Sequence, residues 1–230
     1  MKPTRKIIIA IDGHASTGKS TVAKEIARLI GIGYVDTGAM YRSVTLCALR
    51  NTPSDLSEKA VAALLPNIEI SFGWDAERGR NTTYLNGENV EDQIRSAEVS
   101  NLVSSISAMP AVRSSLTAMQ QQIGMRSSVV MDGRDIGTTV FPNADLKIFM
   151  TASADIRARR RYDEMIAKGQ QVSFEDTLRN VVERDHLDET RAVSPLLRAD
   201  DAVLLDNSHM TRPEQTQFII DLLIERGLVC

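Results

Sequence analysis

Cysteine is nearly missing from this 230-residue chain, which holds only Cys47 and Cys230. That excludes a disulfide framework and a thiolate metal cluster. Aromatic residues make up 4%, too few for the stacking platforms that hold single-stranded nucleic acid. The three histidines, His14, His186 and His209, are scattered and form neither a triad nor a metal-ligand cluster. No apolar stretch approaches the roughly 20 residues of a membrane-spanning helix, and Ile7 to Ile11 is too short for a signal-peptide core. A soluble protein of the reduced cytoplasm, with no membrane partner, is expected. The net charge is -3 with both signs interspersed, so bulk nucleic-acid binding is not expected and any polyanion site must be local. Neither an internal repeat nor a low-complexity segment is present.

What is present centres on Gly13 to Thr21, Gly-His-Ala-Ser-Thr-Gly-Lys-Ser-Thr, in which two spaced glycines precede Lys and Ser. The pattern is that of a phosphate-cradling P-loop. Lys6 to Ile11 ahead of it is apolar without alternation, as in a parallel strand buried on both faces. Behind it Val22, Ile26, Leu29 and Ile30 recur at helical spacing. A loop between strand and helix aims successive N–H groups at an anion. Lys19 then reaches the β and γ phosphates, and the Ser20 hydroxyl suits Mg²⁺.

Further along, Ile32 to Val35 forms a short strand ending in Asp36-Thr-Gly-Ala-Met-Tyr-Arg42, where Asp36 or Thr37 can cap a helix reaching about Asn51. An ordinary capped turn has the same pattern; Arg42 lies one turn into that helix, where a second anion could sit. Residues 54 to 65 are expected to be helical, with Ser54 or Ser57 as cap and Pro66 as terminator. Ile68, Ile70 and Phe72 then alternate with polar residues, a turn follows over 75 to 80, and Thr82 to Leu85 leads into Asn86-Gly87. Asn-Gly between extended runs signals a hairpin. Helix is expected again from Asp92 to Pro110, and from there to Gly124.

Ser128 to Met131 is a second buried strand, delivering Asp132-Gly-Arg-Asp135 at its C-terminal end, the edge where ligands of open α/β sheets gather. Asp132 suits a carboxylate that orients Mg²⁺ or its water; a charged turn is the plain alternative. After the strand Leu146 to Met150, Thr151 or Ser153 caps a helix with Arg157, Arg160 and Arg161 on one face. A solvated helix or a stripe for a nucleic-acid backbone has the same pattern. With the polar loop from Lys168 to Ser173 and a second helix over about Thr177 to Asp185, it reads as a lid that would keep water from a phosphoryl donor. Ala202 to Asp206 is a last strand, and Pro213 opens the closing helix. Strands alternating with helices give a parallel sheet with right-handed crossovers.

These motifs in this order, over essentially the whole chain, resemble bacterial cytidylate kinases among the P-loop nucleoside monophosphate kinases. The most specific parts are Asp132-Gly-Arg-Asp135 and the insert at about 67 to 108. The resemblance implies an α/β fold: a P-loop kinase with a five-stranded parallel sheet flanked by helices, a small antiparallel three-stranded insert and a helical lid. It divides the domain into a core at 1–52, 125–152 and 196–230, an acceptor-binding region at about 53–124, and a lid and acceptor-contact region at about 153–195. It implies phosphoryl transfer from MgATP to CMP or dCMP by a monomer without nucleic acid.

Carried onto matching positions, Asp12, Gly13, His14, Ala15, Ser16, Thr17, Gly18, Lys19, Ser20, Thr21 and Arg160 would meet the nucleotide, and Ser20 and Asp132 the metal. Lys19, Arg134, Arg157, Arg161 and Arg191 would serve transfer. Arg42, Arg134 and Arg191 would contact phosphates; Thr37, Arg113 and Asp135 cytosine; Ser104, Arg184 and Asp188 the pentose; Tyr41 also belongs to the acceptor side. His14 departs from the family, which usually has Pro there. Cytosine offers an amino donor where uracil offers a carbonyl, so a carboxylate at Asp135 accepts from the first and repels the second. A kinase for UMP or a shikimate-type alcohol is the nearest alternative, and a nucleotide-dependent switch or ATPase a more distant one. The sequence holds no Asn-Lys-x-Asp guanine reader.

Overall fold

The computed structural model describes residues 1–75, 80–167 and 169–230. Most of the turn expected at 75–80, and Lys168 at the start of the polar loop, lie outside the described residues. In chain order the strands are β1 (Ile8–Gly13), β2 (Gly33–Asp36), β3 (Ile70–Asp75), β4 (Arg80–Leu85), β5 (Glu88–Asn89), β6 (Val129–Gly133), β7 (Leu146–Thr151) and β8 (Val203–Asp206). The α-helices are α1 (Lys19–Ile30), α2 (Thr37–Asn51), α3 (Glu58–Leu64), α4 (Ala97–Ala108), α5 (Pro110–Arg126), α6 (Ala154–Ala167), α7 (Phe174–Thr190) and α8 (Arg212–Glu225). The chain forms two compact units, Met1–Val35 with Gln121–Cys230, and Asp36–Gln120.

The first unit is built on a five-stranded parallel sheet of order β2-β6-β1-β7-β8. Its centre is β1, whose Ile9 and Ile11, with Ile7 just before the strand, are fully buried with Val22, Ala23, Ile26 and Ile30 of α1 and Ile219, Ile220 and Leu223 of α8. Burying each such large aliphatic side chain contributes roughly 1.5–3 kcal/mol, so β1 is held rigidly up to its last residue. The register sets Asp12 level with Gly133 of β6 and Phe149 of β7. The P-loop and the Asp132–Asp135 segment therefore leave the sheet side by side. The described helices include none long and apolar enough to cross a membrane.

The second unit carries the antiparallel sheet β3-β4-β5. Asn86 and Gly87 turn with φ of 50° and 82°, the two positive values that a tight hairpin turn between twisted strands demands. Glu91 fixes the sheet's exit: its buried carboxylate accepts from the Thr83 N–H at 3.1 Å and the Thr83 hydroxyl at 2.8 Å.

Several helix ends differ from the sequence expectation. α3 begins at Glu58 because Ser57, not Ser54, caps it, accepting from the Ala60 N–H at 3.3 Å. The stretch after Asp92 first makes a 3₁₀ turn, Gln93–Arg95, and α4 starts only after Ser96 caps it. α7 starts after its Ser173 cap and runs past Asp185 to Thr190. Its buried side chains are Thr177 and Val181, an apolar stripe too sparse to mark the ends.

Candidate active site

The P-loop conformation follows from its glycines and from the strand beside it. Gly13 has φ +144°, and a Cβ there would stand 2.0 Å from the Met150 carbonyl oxygen, so no other residue lets β1 end against β7. The chain then passes Ser16 at φ 61° and Gly18 at φ 88° before α1 begins. No side chain caps α1, so the N–H groups at its very start can turn to an anion. Lys19 folds back over the loop and donates to the His14 carbonyl at 2.5 Å and the Thr17 hydroxyl at 3.3 Å. Burial and then the Arg134 charge lower its ammonium to about 7, against the pull of Asp132, Asp12 and Asp188.

Ser20 and Asp132 meet: the hydroxyl donates to one carboxylate oxygen at 2.8 Å, and the Tyr34 hydroxyl donates to the other at 2.7 Å. Asp12 does not face outward with the loop. Its carboxylate accepts from the backbone N–H of Ile136 at 2.8 Å and of Gly137 at 2.7 Å. Burial pushes it up to about 6, although those two bonds act in the opposite sense. Among the other loop residues, His14 turns Nε2 to Glu189 at 2.7 Å, Ala15 is buried, and Thr17 is buried with its hydroxyl on the His14 carbonyl at 3.1 Å. The Thr21 N–H donates to the Gly18 carbonyl at 3.1 Å.

Arginines and carboxylates alternate across α7 and the segment after β6. Arg134 donates from Nε to Asp188 at 2.8 Å, Arg191 reaches the other Asp188 oxygen at 3.3 Å, and Arg191 stands 3.9 Å from Asp135. Burial alone would raise the Asp188 carboxyl, yet Arg134, Arg191 and Arg184 hold it below the ordinary carboxylate range. Arg184 lies on α7 one helical turn before Asp188.

The three lid arginines separate. Arg157 is buried, donating to the carbonyls of Ala152 at 2.9 Å and Ala15 at 3.4 Å and pairing with Asp185 at 2.7 Å. Arg160 binds the side-chain and main-chain oxygens of Asn207 at 3.0 and 2.9 Å. Arg161 is half-buried, and burial lowers its guanidinium with Glu164 opposing.

In the second unit, Asp36 caps α2 by accepting from the Ala39 N–H at 2.9 Å, with Thr37 buried beside it. Arg42 donates to the Ser100 hydroxyl at 3.0 Å and the Ile94 carbonyl at 3.4 Å. Arg113 is buried, donates to the Ser107 carbonyl at 3.0 Å and lies 5.3 Å over the Tyr41 ring, close enough for a cation–π contact. Ser104 is half-buried on α4, its carbonyl accepting from the Ser107 hydroxyl at 3.0 Å.

Two participants carry no motif. Asn207 is fully buried and donates to the Thr17 carbonyl at 2.7 Å and to Gln215 at 2.9 Å while accepting from Arg160. It ties the P-loop to α6 and α8. Its sequence signal is weak: a polar residue just past the apolar strand β8, at the edge where ligands gather. Tyr34, the other, is an aromatic of β2 whose hydroxyl finds Asp132 from 98 positions away.

Comparison with known proteins gives the chain a family. The cytidylate kinase family matches residues 9–225. A cytidylate kinase of Bacteroides fragilis is 56% identical over 219 residues, covering 94% of this chain and 96% of that protein. One from Flavobacterium johnsoniae is 52% identical over 222 residues, covering 95% and 96%. Among solved structures, an uncharacterized protein from Eubacterium ventriosum superposes with a TM-score of 0.52 at 13% identity, covering 96% of this chain and 99% of that one; it shares the fold alone. With the family match spanning the P-loop, the Asp132–Asp135 segment and α7, this chain belongs to the cytidylate kinase family.

Proposed function

We propose that the chain transfers the γ-phosphoryl group of MgATP to CMP or dCMP, giving ADP and CDP or dCDP. The observation that supports it most is the Ser20–Asp132 pair at 2.8 Å beside Lys19, in a chain that the family matches over 9–225. Phosphoryl transfer needs no covalent nucleophile from the protein, only alignment and neutralised charge.

The uncapped N–H groups at the very start of α1 and the Lys19 ammonium bind the donor phosphates. Ser20 and Asp132 present hard oxygen donors of the kind Mg²⁺ takes, and Tyr34 fixes the carboxylate's orientation. The residues fit the ion. When bound, Mg²⁺ neutralises charge that spreads over the β and γ phosphate oxygens. Arg134, Arg191 and Arg161 offer guanidinium forks to the transferring group, and Arg42 offers one to the acceptor phosphate. Asp135 accepts from the cytosine amino group with Thr37 and Arg113 as further polar partners, while Ser104, Arg184 and Asp188 serve the sugar. The same reading makes the protein a cytoplasmic monomer.

The test is ADP formation from MgATP with CMP, dCMP, UMP, AMP or shikimate, each against a blank without acceptor. Turnover confined to CMP and dCMP is expected. Preference for another acceptor overturns the cytosine assignments and leaves the fold; ADP release independent of acceptor points to an ATPase or switch.

A further inference from the structure

The segment after β6 turns in an unusual way. The N–H groups of Thr139 and Val140 both donate to the Asp135 carbonyl, at 2.8 and 3.2 Å, and the Phe141 N–H donates to the Ile136 carbonyl at 2.7 Å. Bonds from residue i+5 to residue i make this a single turn of π-helix, Ile136–Val140, a rare local distortion of the kind that occurs frequently at functional sites. Two first-turn donors, the N–H groups of Ile136 and Gly137, are taken by the Asp12 carboxylate at 2.8 and 2.7 Å.

The site is built around that contact. Asp12 is 5% exposed and is the residue before the last in β1. A Cβ on Gly137 would lie 3.3 Å from the Asp12 carboxylate and 3.2 Å from the Lys147 stem, so glycine at 137 lets the backbone come this close. Lys147 is buried beneath the turn and fixed by the Pro142 carbonyl and by Asp201 at 2.8 Å.

We propose that Asp12 is a positioning residue for acceptor recognition: it acts through the backbone of Ile136 and Gly137 to hold Arg134 and Asp135 in place, and not by contact with the nucleotide. The geometry follows from position. Asp135 directly precedes the clamped N–H groups and anchors the turn through its own carbonyl. Its buried side chain stands 3.9 Å from Arg191, and Arg134 binds Asp188 one residue earlier. Loss of one charge-assisted bond frees the first turn and moves both side chains together. The functional half of this inference rests on Asp135 reading cytosine, as proposed above.

The test compares wild type with Asp12→Asn, which keeps volume but turns an amide NH₂ towards one of the two donors, and with Gly137→Ala, which crowds the clamp from the other side. Amide hydrogen exchange is followed over residues 136–141, alongside KM for CMP, KM for MgATP and the CMP/UMP ratio of kcat/KM. Both variants are expected to lose protection in that segment, to raise KM for CMP roughly tenfold, as the loss of one charged hydrogen bond predicts, and to leave KM for MgATP within about twofold. Protection unchanged in a folded Asp12→Asn protein, or a rise confined to KM for MgATP, overturns the proposal. Asp135→Ala runs in parallel: full CMP/UMP discrimination there removes the base-reading role of Asp135, while the exchange data still decide whether Asp12 holds the turn.

Discussion

Asp188 sits between two guanidinium groups, Arg134 at 2.8 Å on one carboxylate oxygen and Arg191 at 3.3 Å on the other. One acid thus sets the spacing of two arginines proposed above to meet phosphate, one from the segment after β6 and one just past α7. Free, the guanidiniums would repel each other; bridged, they are held at a fixed spacing, as the proposed transfer requires.

The first prediction follows from that bridge. Asp188→Asn keeps the shape and removes the charge, so kcat/KM for CMP is expected to fall on the order of 100-fold, with KM for MgATP changing far less. The pH dependence has a definite sign. Asp188 is depressed in the folded protein, so its stabilisation is present above the unfolded pKa of about 4 and disappears as pH falls through the lower folded value. The stability gap between wild type and Asp188→Asn should be open at pH 6 and narrow below pH 4, as read by urea unfolding. A gap independent of pH would refute the bridge as an ionic one.

Lys19 makes the second. Its ammonium titrates at about 7 in the folded protein against 10.5 for an ordinary lysine, chiefly because it is buried. Between those values the unfolded chain binds the extra proton, so the Lys19 contribution to stability rises with pH from 7 to 10.5 and is flat below 7. Donor phosphates beside the amine reverse the shift. Binding of ATP at pH 8 should therefore take up close to one proton, and at pH 6 almost none. Calorimetric titration in buffers of different ionisation enthalpy measures the uptake directly; none at pH 8 would show that Lys19 is already charged.

A third concerns His14, the second residue of the P-loop stretch Gly13 to Thr21. Its ring stacks edge-on against Phe149 at 5.9 Å and binds Glu189 at 2.7 Å, so the side chain is engaged with the protein. Under the proposed function, the nucleotide would then meet the backbone of this position and not its ring. His14→Ala is expected to keep kcat and KM for MgATP within about threefold, and Glu189→Gln to change stability by less than about 1 kcal/mol, as for a half-exposed pair. A KM for MgATP raised tenfold in His14→Ala would put the imidazole on the phosphates.

The sequence made some of this architecture plain and hid the rest for a physical reason. Gly13 to Thr21 was legible because a P-loop does its work with consecutive residues, and Asn86-Gly87 because both positions of its turn need positive φ. The parallel sheet was legible from strands apolar on both faces. The partner of Asp12 was not, since a backbone N–H at Ile136 or Gly137 leaves no residue-type signature 124 or 125 positions away. Nor was Asn207, whose role depends on Thr17, Arg160 and Gln215 arriving at one point. Among the lid arginines, spacing showed a shared helical face and could not show that one of them is consumed by its own fold.

That difference gives the last prediction. Arg157 and Arg161 lie on the same helix and would both be counted as lid arginines, yet Arg157 is 4% exposed and spends its donors on Ala152, Ala15 and Asp185. Removing it takes from Asp185, whose side chain is 13% exposed, its ion-pair partner at 2.7 Å, a defect that costs up to about 3 kcal/mol. For a chain of this size that lowers Tm by on the order of 10 °C. Arg157→Met should therefore be thermally fragile and lose activity through its structure, with P-loop geometry disturbed at Ala15. Arg161→Ala should melt within a few degrees of wild type and lose kcat by 10-fold or more, because its guanidinium is proposed to meet charge that exists only during transfer. Differential scanning calorimetry and steady-state kinetics on the pair separate the two roles. Equal Tm values with equal losses in kcat would place both arginines on the phosphates and make the Asp185 contact incidental.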